Sequence, residues 1–250
     1  MEETINRFLS MIQESNHIVF FGGAGVSTAS GIPDFRSKDG LYNQHDIRFD
    51  RYQPEYLLSH TCLVREPEVF FEFYRQKMDT RSVEPNITHK VLAKLEQAGK
   101  LEAIVTQNID GLHQKAGSRK VFEIHGTTQR NYCMSCGRSV DADFIFQQQG
   151  IPRCPECGGI IRPDVTLYEE GLPTEAVMGA LDAIHRADCM IVAGTSLNVY
   201  PAASYVYEFH GKHRVILNLE PLDVPLDPAK DLFIQGPMRE AFTALDAVLV

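Results

Sequence analysis

Apolar residues recur along this chain in two rhythms. From residue 3 to 14, Ile5, Phe8, Leu9 and Ile12 fall at i, i+3, i+4 and i+7, the spacing of one face of an α-helix. Helical patterns also cover 68–78 and lie near 88–98, 174–186 and 201–210, with a last one over 238–248. Between them stand short unbroken apolar runs: Ile18–Phe21, Ala103–Thr106, Val121–Ile124, Cys189–Ala193, Val215–Leu219 and Leu232–Ile234. A strand with one face in water alternates apolar and polar residues. These runs do not, so they predict strands covered on both faces, as in a parallel sheet between helical layers. Strands alternating with helices predict an α/β doubly wound, Rossmann-like sheet.

Two stretches break the alternation. Residues 37–85 separate the first two strands by far more than one crossover helix, and residues 127–168 carry a cysteine cluster. Both read as insertions that together form a smaller domain, and loops this long usually have a function of their own. The Rossmann-like domain then comprises 1–36, 86–126 and 169–250.

Composition narrows the function classes. The 250 residues include 24 Lys and Arg against 33 Asp and Glu, a formal net charge of −9. Nucleic-acid binders neutralise phosphates with basic residues, so direct nucleic-acid binding is not expected. No apolar run approaches the ~20 residues of a membrane span. The start, Met1-Glu2-Glu3-Thr4, lacks the basic and apolar regions of a secretion signal, so the expected compartment is cytoplasmic.

Four of the six cysteines form Cys133-x₂-Cys136-x₁₇-Cys154-x₂-Cys157. Two tight turns, eased by Gly137 and Gly158-Gly159, present four thiolates to one point, the tetrahedral set preferred by zinc. Two disulfides are the competing reading, and they require an oxidising compartment. With all four positions filled by protein, the zinc is expected to be structural. Cys189 opens an apolar run and reads as a buried small hydrophobe.

The first strand runs into Gly22-Gly23-Ala24-Gly25-Val26-Ser27-Thr28. Strand, glycine turn and helix form a geometry that binds phosphate. The dehydrogenase fingerprint would place glycine at position 28, where Thr28 stands, and a Walker loop would need Gly-Lys-Ser/Thr. Alone, the loop is equally compatible with a structural turn. Beyond it, Pro33 breaks the helix and Asp34-Phe35-Arg36 follow in a loop. Three further strands also end in polar clusters: Thr106-Gln107-Asn108-Ile109-Asp110-Gly111-Leu112-His113, His125-Gly126 and Gly194-Thr195-Ser196. In parallel sheets, ligands bind at the carboxyl ends of strands.

With these motifs in this order, the sequence resembles the sirtuins, NAD-dependent protein-lysine deacylases. The resemblance rests on Gly23-Ala24-Gly25-x-Ser27-x-x-Ser30-Gly31-Ile32-Pro33-Asp34-Phe35-Arg36, on Thr106 to His113, on His125-Gly126, on the Cys₄ cluster, and on Gly194 to Leu197 with Asn218. It implies NAD as co-substrate and one structural zinc on Cys133, Cys136, Cys154 and Cys157. Gly23, Ala24, Gly25 and Ser27 would receive the pyrophosphate, with Arg36 adding a charged contact. Ser196 and Asn218 would hold the adenosine half. Asn108 and Asp110 would bind the nicotinamide carboxamide, Ile109 would line that pocket, Gln107 would orient the ribose and Phe35 would shield the reactive sugar carbon. Thr28, Asp34, Gly194, Thr195 and Leu219 complete the expected cofactor set.

In the reaction so implied, the acyl oxygen of the substrate joins ribose C1′ as nicotinamide leaves. His125 then acts as general base on a ribose hydroxyl, with Asn108 and Asp110 completing the catalytic group. Products are free lysine, nicotinamide and 2′-O-acyl-ADP-ribose. The acylated lysine of a protein or peptide would arrive on an extended strand between Val165-Thr166-Leu167-Tyr168 and Leu197-Asn198-Val199-Tyr200, contacting Val165, Leu167, Tyr168, Asn198 and Val199. The sequence departs from the family pattern in three places. Gly22 stands where many relatives have Thr. Val165 to Glu170 lacks the aromatic-Gly-Glu ending. Tyr74-x-x-Lys77 stands where enzymes that prefer acidic acyl groups carry Tyr-x-x-Arg. Acetyl is the expected acyl group. Succinyl, malonyl and longer chains, protein ADP-ribosylation, and a non-catalytic reader of acyl-lysine are the alternatives.

Overall fold

The computed structural model describes residues 2–222 and 224–249; Met1 and Val250, the outermost residues of the expected domain ranges, lie outside them. Six parallel strands form the main sheet: β1 (Ile18–Gly22), β2 (Leu101–Thr106), β3 (Val121–Glu123), β7 (Cys189–Ala193), β8 (His213–Asn218) and β9 (Asp231–Gln235), in the order β3-β2-β1-β7-β8-β9. The order reverses beside β1, as in doubly wound dinucleotide folds.

The unbroken apolar runs have a simple cause. Successive side chains of a strand point to opposite faces, and both faces are covered. Ile18 and Phe20 of β1 join Phe8, Ile12, Val91, Leu95, Phe242 and Leu245 beneath helices Glu2–Glu14, Ile87–Gln97 and Met238–Val248. Val19 and Phe21 join Ala180, Ile184 and Val206 on the other face. Each fully buried side chain of this size contributes ~1.5–3 kcal/mol, so a polar residue on either face would be costly.

The pattern over 201–210 is not an α-helix; Ala202–Glu208 winds as a 3₁₀ helix. The helix expected after the first glycine loop is likewise absent. Ala24–Val26 and Thr28–Ser30 are two single 3₁₀ turns, separated by Ser27.

The remaining strands, β4 (Gly126–Cys133), β5 (Ser139–Asp141) and β6 (Ile161–Val165), form an antiparallel sheet in the order β5-β4-β6. They share an apolar cluster with helices Pro54–Leu57, His60–Arg65 and Pro67–Lys77, centred on Leu63, Phe70, Phe71, Ile145 and Ile161. Only Ile124 and His125 separate β3 from β4, so the chain steps from one sheet to the other at His125-Gly126. Gly126 has φ +73°, and a Cβ there would run into the Asp164 carbonyl.

Candidate functional site

The loops after β1 and β7 lie against each other where the strand order reverses. Gly25 N–H donates to Gly194 O at 2.8 Å and Gly23 N–H to Ala193 O at 3.1 Å. Gly194 has φ +58°, and a Cβ on it would lie 2.5 Å from Val26 N. A Cβ on Gly25 would lie 2.8 Å from Gly194 Cα. The glycines therefore let two backbones touch. Val26 N–H and Ser27 N–H turn back to the carbonyls of Gly23 and Ala24, so of the five successive amides of 23–27 all but that of Ala24 are engaged within the protein.

Side chains extend this contact across the strand ends. Gln107 N–H donates to Gly22 O at 2.9 Å, and its Nε2 donates to Thr195 Oγ1 at 3.0 Å. Behind it runs a buried chain. Asn108 Nδ2 donates to Ser27 Oγ at 3.1 Å, and Ser27 Oγ donates to Asp110 Oδ2 at 2.6 Å. Asp110 Oδ1 accepts from Leu112 N at 2.9 Å. Ser27, Asn108 and Asp110 are only 1%, 9% and 7% exposed. Burial pushes the Asp110 carboxyl up from its ordinary value, against the pull of the Ser27 and Leu112 hydrogen bonds. Ile109 packs toward the cluster of the smaller sheet, and its carbonyl accepts from Thr128 N at 2.8 Å.

His125 sits at the step between the sheets, half-buried. Its Nδ1 lies 3.0 Å from Gln107 O. A carbonyl can only accept, so Nδ1 carries the proton and Nε2 keeps its lone pair. Burial lowers the imidazole pKa, the Gln107 carbonyl opposing. At neutral pH the ring is therefore an uncharged base with Nε2 as its accepting atom.

Phe35 lies in a loop closed on itself. Asp34 Oδ1 accepts from the N–H groups of Arg36 and Ser37 at 3.0 and 2.8 Å, so this carboxylate serves its own turn. Phe35 meets Tyr42 edge to face with centroids 5.4 Å apart.

The segments expected to hold a peptide differ in availability. Thr166 N–H donates to His125 O, Leu167 N–H to Glu170 Oε2, and Tyr168 N–H to Leu58 O, each at 2.9–3.0 Å. Tyr168 O accepts from His60 N. Val165 is paired with Gly126 in the small sheet. Most backbone groups of 165–168 are thus already bonded, and Leu167 is buried. Across from them Ser196 and Asn198 are exposed and Val199 is half-buried. Leu197, at φ +54°, turns its side chain into the core. Asn218 ends β8 with Nδ2 donating to Glu220 O; Leu219 lies past the strand and is 64% exposed.

Cys133, Cys136, Cys154 and Cys157 bring their sulfurs within 4.8 Å of one another. Cys133 and Cys157 Sγ are 3.4 Å apart, and Cys136 and Cys154 Sγ 3.8 Å. Four sulfurs at the ~2.3 Å zinc–sulfur distance would stand ~3.8 Å apart, so the set fits zinc. Ser135 N–H points at Cys133 Sγ from 3.4 Å.

The Sir2 family model matches residues 23–201. The chain belongs to the Sir2 family. It is 54% identical over 220 residues to an NAD-dependent protein deacetylase of Clostridium perfringens, covering 87% of this chain and 89% of that one. It is 50% identical over 240 residues to an NAD-dependent protein deacetylase of Cutibacterium acnes, covering 96% of each. A solved complex of Sir2 with a p53 peptide and NAD+ superposes with a TM-score of 0.82 at 36% identity, covering 97% of this chain and 98% of that one.

Within this Sir2 chain, the sequence marks the strand-end polar groups but not the bonds among them. Thr106 belongs to the motif, but its role of capping Asn108 N–H with its hydroxyl at 3.0 Å is not legible there, and Thr128 was missed. Thr128 gives no signal because it lies in the polar run Thr127–Asn131. Tyr42, whose hydroxyl meets that of Tyr168 at 2.9 Å, was also missed.

Proposed function

We propose that this protein is an NAD-dependent protein-lysine deacetylase that uses His125 as its general base. The observation carrying this reading is the hydrogen bond from His125 Nδ1–H to Gln107 O, which leaves a neutral Nε2 to take a proton at pH 7. NAD, when bound, supplies the electrophilic ribose carbon and is consumed. Asn108 and Asp110 hold the nicotinamide end, fixed by their bonds to Ser27 and Leu112. Ile109 lines that pocket. Gln107, tied to Thr195, orients the ribose. Phe35 keeps water from the reacting carbon. Of the expected phosphate set Gly23, Ala24, Gly25, Ser27 and Arg36, the Ala24 amide and the Arg36 guanidinium serve the phosphates while Gly23, Gly25 and Ser27 shape the turn that presents them; Ser196 and Asn218 serve the adenosine half. Val165 to Tyr168 and Asn198-Val199 flank the peptide.

Acetyl is favoured over acidic acyl groups because the Tyr74-x-x-Lys77 motif has a point charge in place of the guanidinium fork that pairs with a carboxylate, and its tyrosine is turned inward. Tyr74 is fully buried, with its ring stacked on Phe70 and Phe146, and Lys77 Nζ donates to Gln44 Oε1 at 2.9 Å. One zinc per chain on the four cysteines fastens β4 to the turn before β6. Its need for reduced thiols supports a cytoplasmic location, and no helix among the described residues is long and apolar enough to cross a membrane. The separate apolar cluster under β4–β6 supports the division into 1–36, 86–126 and 169–250 against 37–85 and 127–168.

The test is incubation with NAD and acetyl-, succinyl- and longer acyl-lysine peptides, following nicotinamide and peptide mass. Equal amounts of nicotinamide and deacetylated peptide are expected, and His125→Ala abolishes both the mass change and the acetyl-ADP-ribose. Undiminished deacetylation by His125→Ala would refute the base; nicotinamide release with the acetyl group retained would refute the reaction.

A further inference from the structure

The loop that carries Phe35 is fastened to the peptide-side segment through a single phenol. Tyr168 OH accepts from Arg36 Nη2 at 3.2 Å and shares a hydrogen bond with Tyr42 OH at 2.9 Å. Arg36 directly follows Phe35, and Tyr42 packs edge to face on its ring. Tyr42 N–H also donates to Phe35 O at 3.0 Å, and the Arg36 guanidinium lies 5.6 Å from the Tyr42 ring centroid. One hydroxyl thus holds both flanks of Phe35. The backbone that carries it is anchored, because Tyr168 N–H and C=O are bonded to Leu58 and His60, forming a parallel bridge with Ser59, and its ring packs against the apolar cluster of the small sheet.

We infer that Tyr168 is a positioning residue that couples the peptide side of the cleft to the cofactor side, its hydroxyl holding Arg36 and Phe35 in place for NAD. The inference rests on the deacetylase reading above and adds a role for a side chain there assigned only to the peptide. The argument is one of connection. The 34–42 loop closes internally through the Asp34 turn and the Leu41 N–H to Asp34 O bond of 2.7 Å, so it moves as a unit. Arg36 is exposed and long, and by itself would sample many rotamers; a fixed acceptor removes that freedom before phosphate arrives. Peptide binding against Tyr168 would steady the same acceptor, so each substrate favours the conformation the other needs.

Tyr168→Phe keeps the ring and removes both hydrogen bonds. The expected result is a KM for NAD raised roughly five- to tenfold, as for loss of one charged and one neutral hydrogen bond at a partly exposed site. Because coupling is reciprocal, the KM for acetyl-peptide should rise with it at saturating NAD and change less than twofold at low NAD. With Phe35 less constrained, more NAD is lost to hydrolysis: the C1′–nicotinamide bond breaks and water adds at C1′ in place of the acyl oxygen, giving ADP-ribose, nicotinamide and a proton. The ratio of nicotinamide released to peptide deacetylated should therefore rise above one. Tyr42→Phe, which leaves the Arg36 bond intact, should show the same trend at smaller size, and the double variant should cost less than the two single effects combined. A Tyr168→Phe enzyme altered only in peptide KM, with NAD KM and product ratio unchanged, would overturn the coupling. So would simple multiplication of the two variants' effects in the double variant. If the unsubstituted protein releases no nicotinamide with acetyl-peptide, it is the deacetylase reading that fails. A purely structural role would lower the thermal midpoint without moving the product ratio.

Discussion

Replacing Gly194 by alanine tests the contact at the strand-order reversal, and Gly31→Ala provides its control. Both glycines are left-handed, with φ +58° and +92°. A side chain in that region costs ~1–2 kcal/mol, partly offset by ~0.4–1 kcal/mol from a stiffer unfolded chain. At Gly31 nothing lies within 4 Å of the added methyl, so the net loss should be about 1 kcal/mol. At Gly194 the methyl meets Val26 N at 2.5 Å and Gly25 C at 2.6 Å, about 1 Å inside ordinary contact. Both are backbone atoms and cannot rotate away. The loops must part, stretching the Gly25–Gly194 and Gly23–Ala193 hydrogen bonds, each worth ~1 kcal/mol. The total becomes about 3–4 kcal/mol. Urea unfolding followed by circular dichroism measures the difference. For a chain of this size about 1 kcal/mol corresponds to ~2–4 °C in Tm, so Gly194→Ala should melt at least 5 °C below Gly31→Ala. It should also weaken NAD binding by calorimetry at least tenfold, while Gly31→Ala has less effect. Equal losses for the two variants would mean that the loops yield freely, and the reasoning from their contact would be wrong.

Four further outcomes follow from the same structure. His89 and His113 are buried with rings 4.7 Å apart; burial holds His89 at about 4 and His113 well below its ordinary value. The unfolded chain therefore binds more protons between pH 6.5 and 4, so stability should be full above 6.5 and fall as pH drops, by ~1.4 kcal/mol per unit per histidine; urea midpoints at pH 7.5, 6 and 5 should show this, and His89→Leu should flatten it. The acid limb of deacetylation should lie below pH 6.5, because burial lowers His125; a limb above 6.5 would contradict that assignment. Arg162, 5% exposed, pairs both Nη atoms with Glu170, and burial pressure on Glu170 is overcome by Arg162, Leu167 N–H and His60, which hold its carboxyl at about 2; Arg162→Met should cost ~1–3 kcal/mol in urea unfolding, because the half-buried carboxylate keeps its Leu167 and His60 partners but loses its charged one. Metal analysis should give one zinc per chain, and Cys154→Ser or chelation should expose the Phe70–Phe71 cluster to a hydrophobic dye before the main sheet melts.

How much the sequence revealed depended on the kind of interaction. The β1 and β7 runs were legible because each residue is buried on one face or the other, so hydropathy alone marks them. β4 was not, because Thr127, Thr128 and Asn131 are almost fully buried yet polar, with the two hydroxyls and the Asn131 Nδ2 engaged in bonds that hydropathy does not register. The turns of 24–30 could not be told from a helix, since two glycines and Pro33 leave too short a stretch to show a period. Strand-end residues of the site were legible as polar breaks after apolar runs. The engagement of Tyr168 with Leu58 and His60, and of its hydroxyl with Arg36, joins residues more than a hundred positions apart, which no local pattern encodes.

The place where the chain steps between its two sheets has a mechanical consequence. His125 is tied to both sides of that step, through Nδ1 to Gln107 O after β2 and through its carbonyl to Thr166 N–H after β6. Any turn of one sheet on the other would displace atoms in proportion to their distance from such a crossing, and His125 has almost no lever arm. The proton acceptor would therefore keep nearly the same address for substrates of varied bulk.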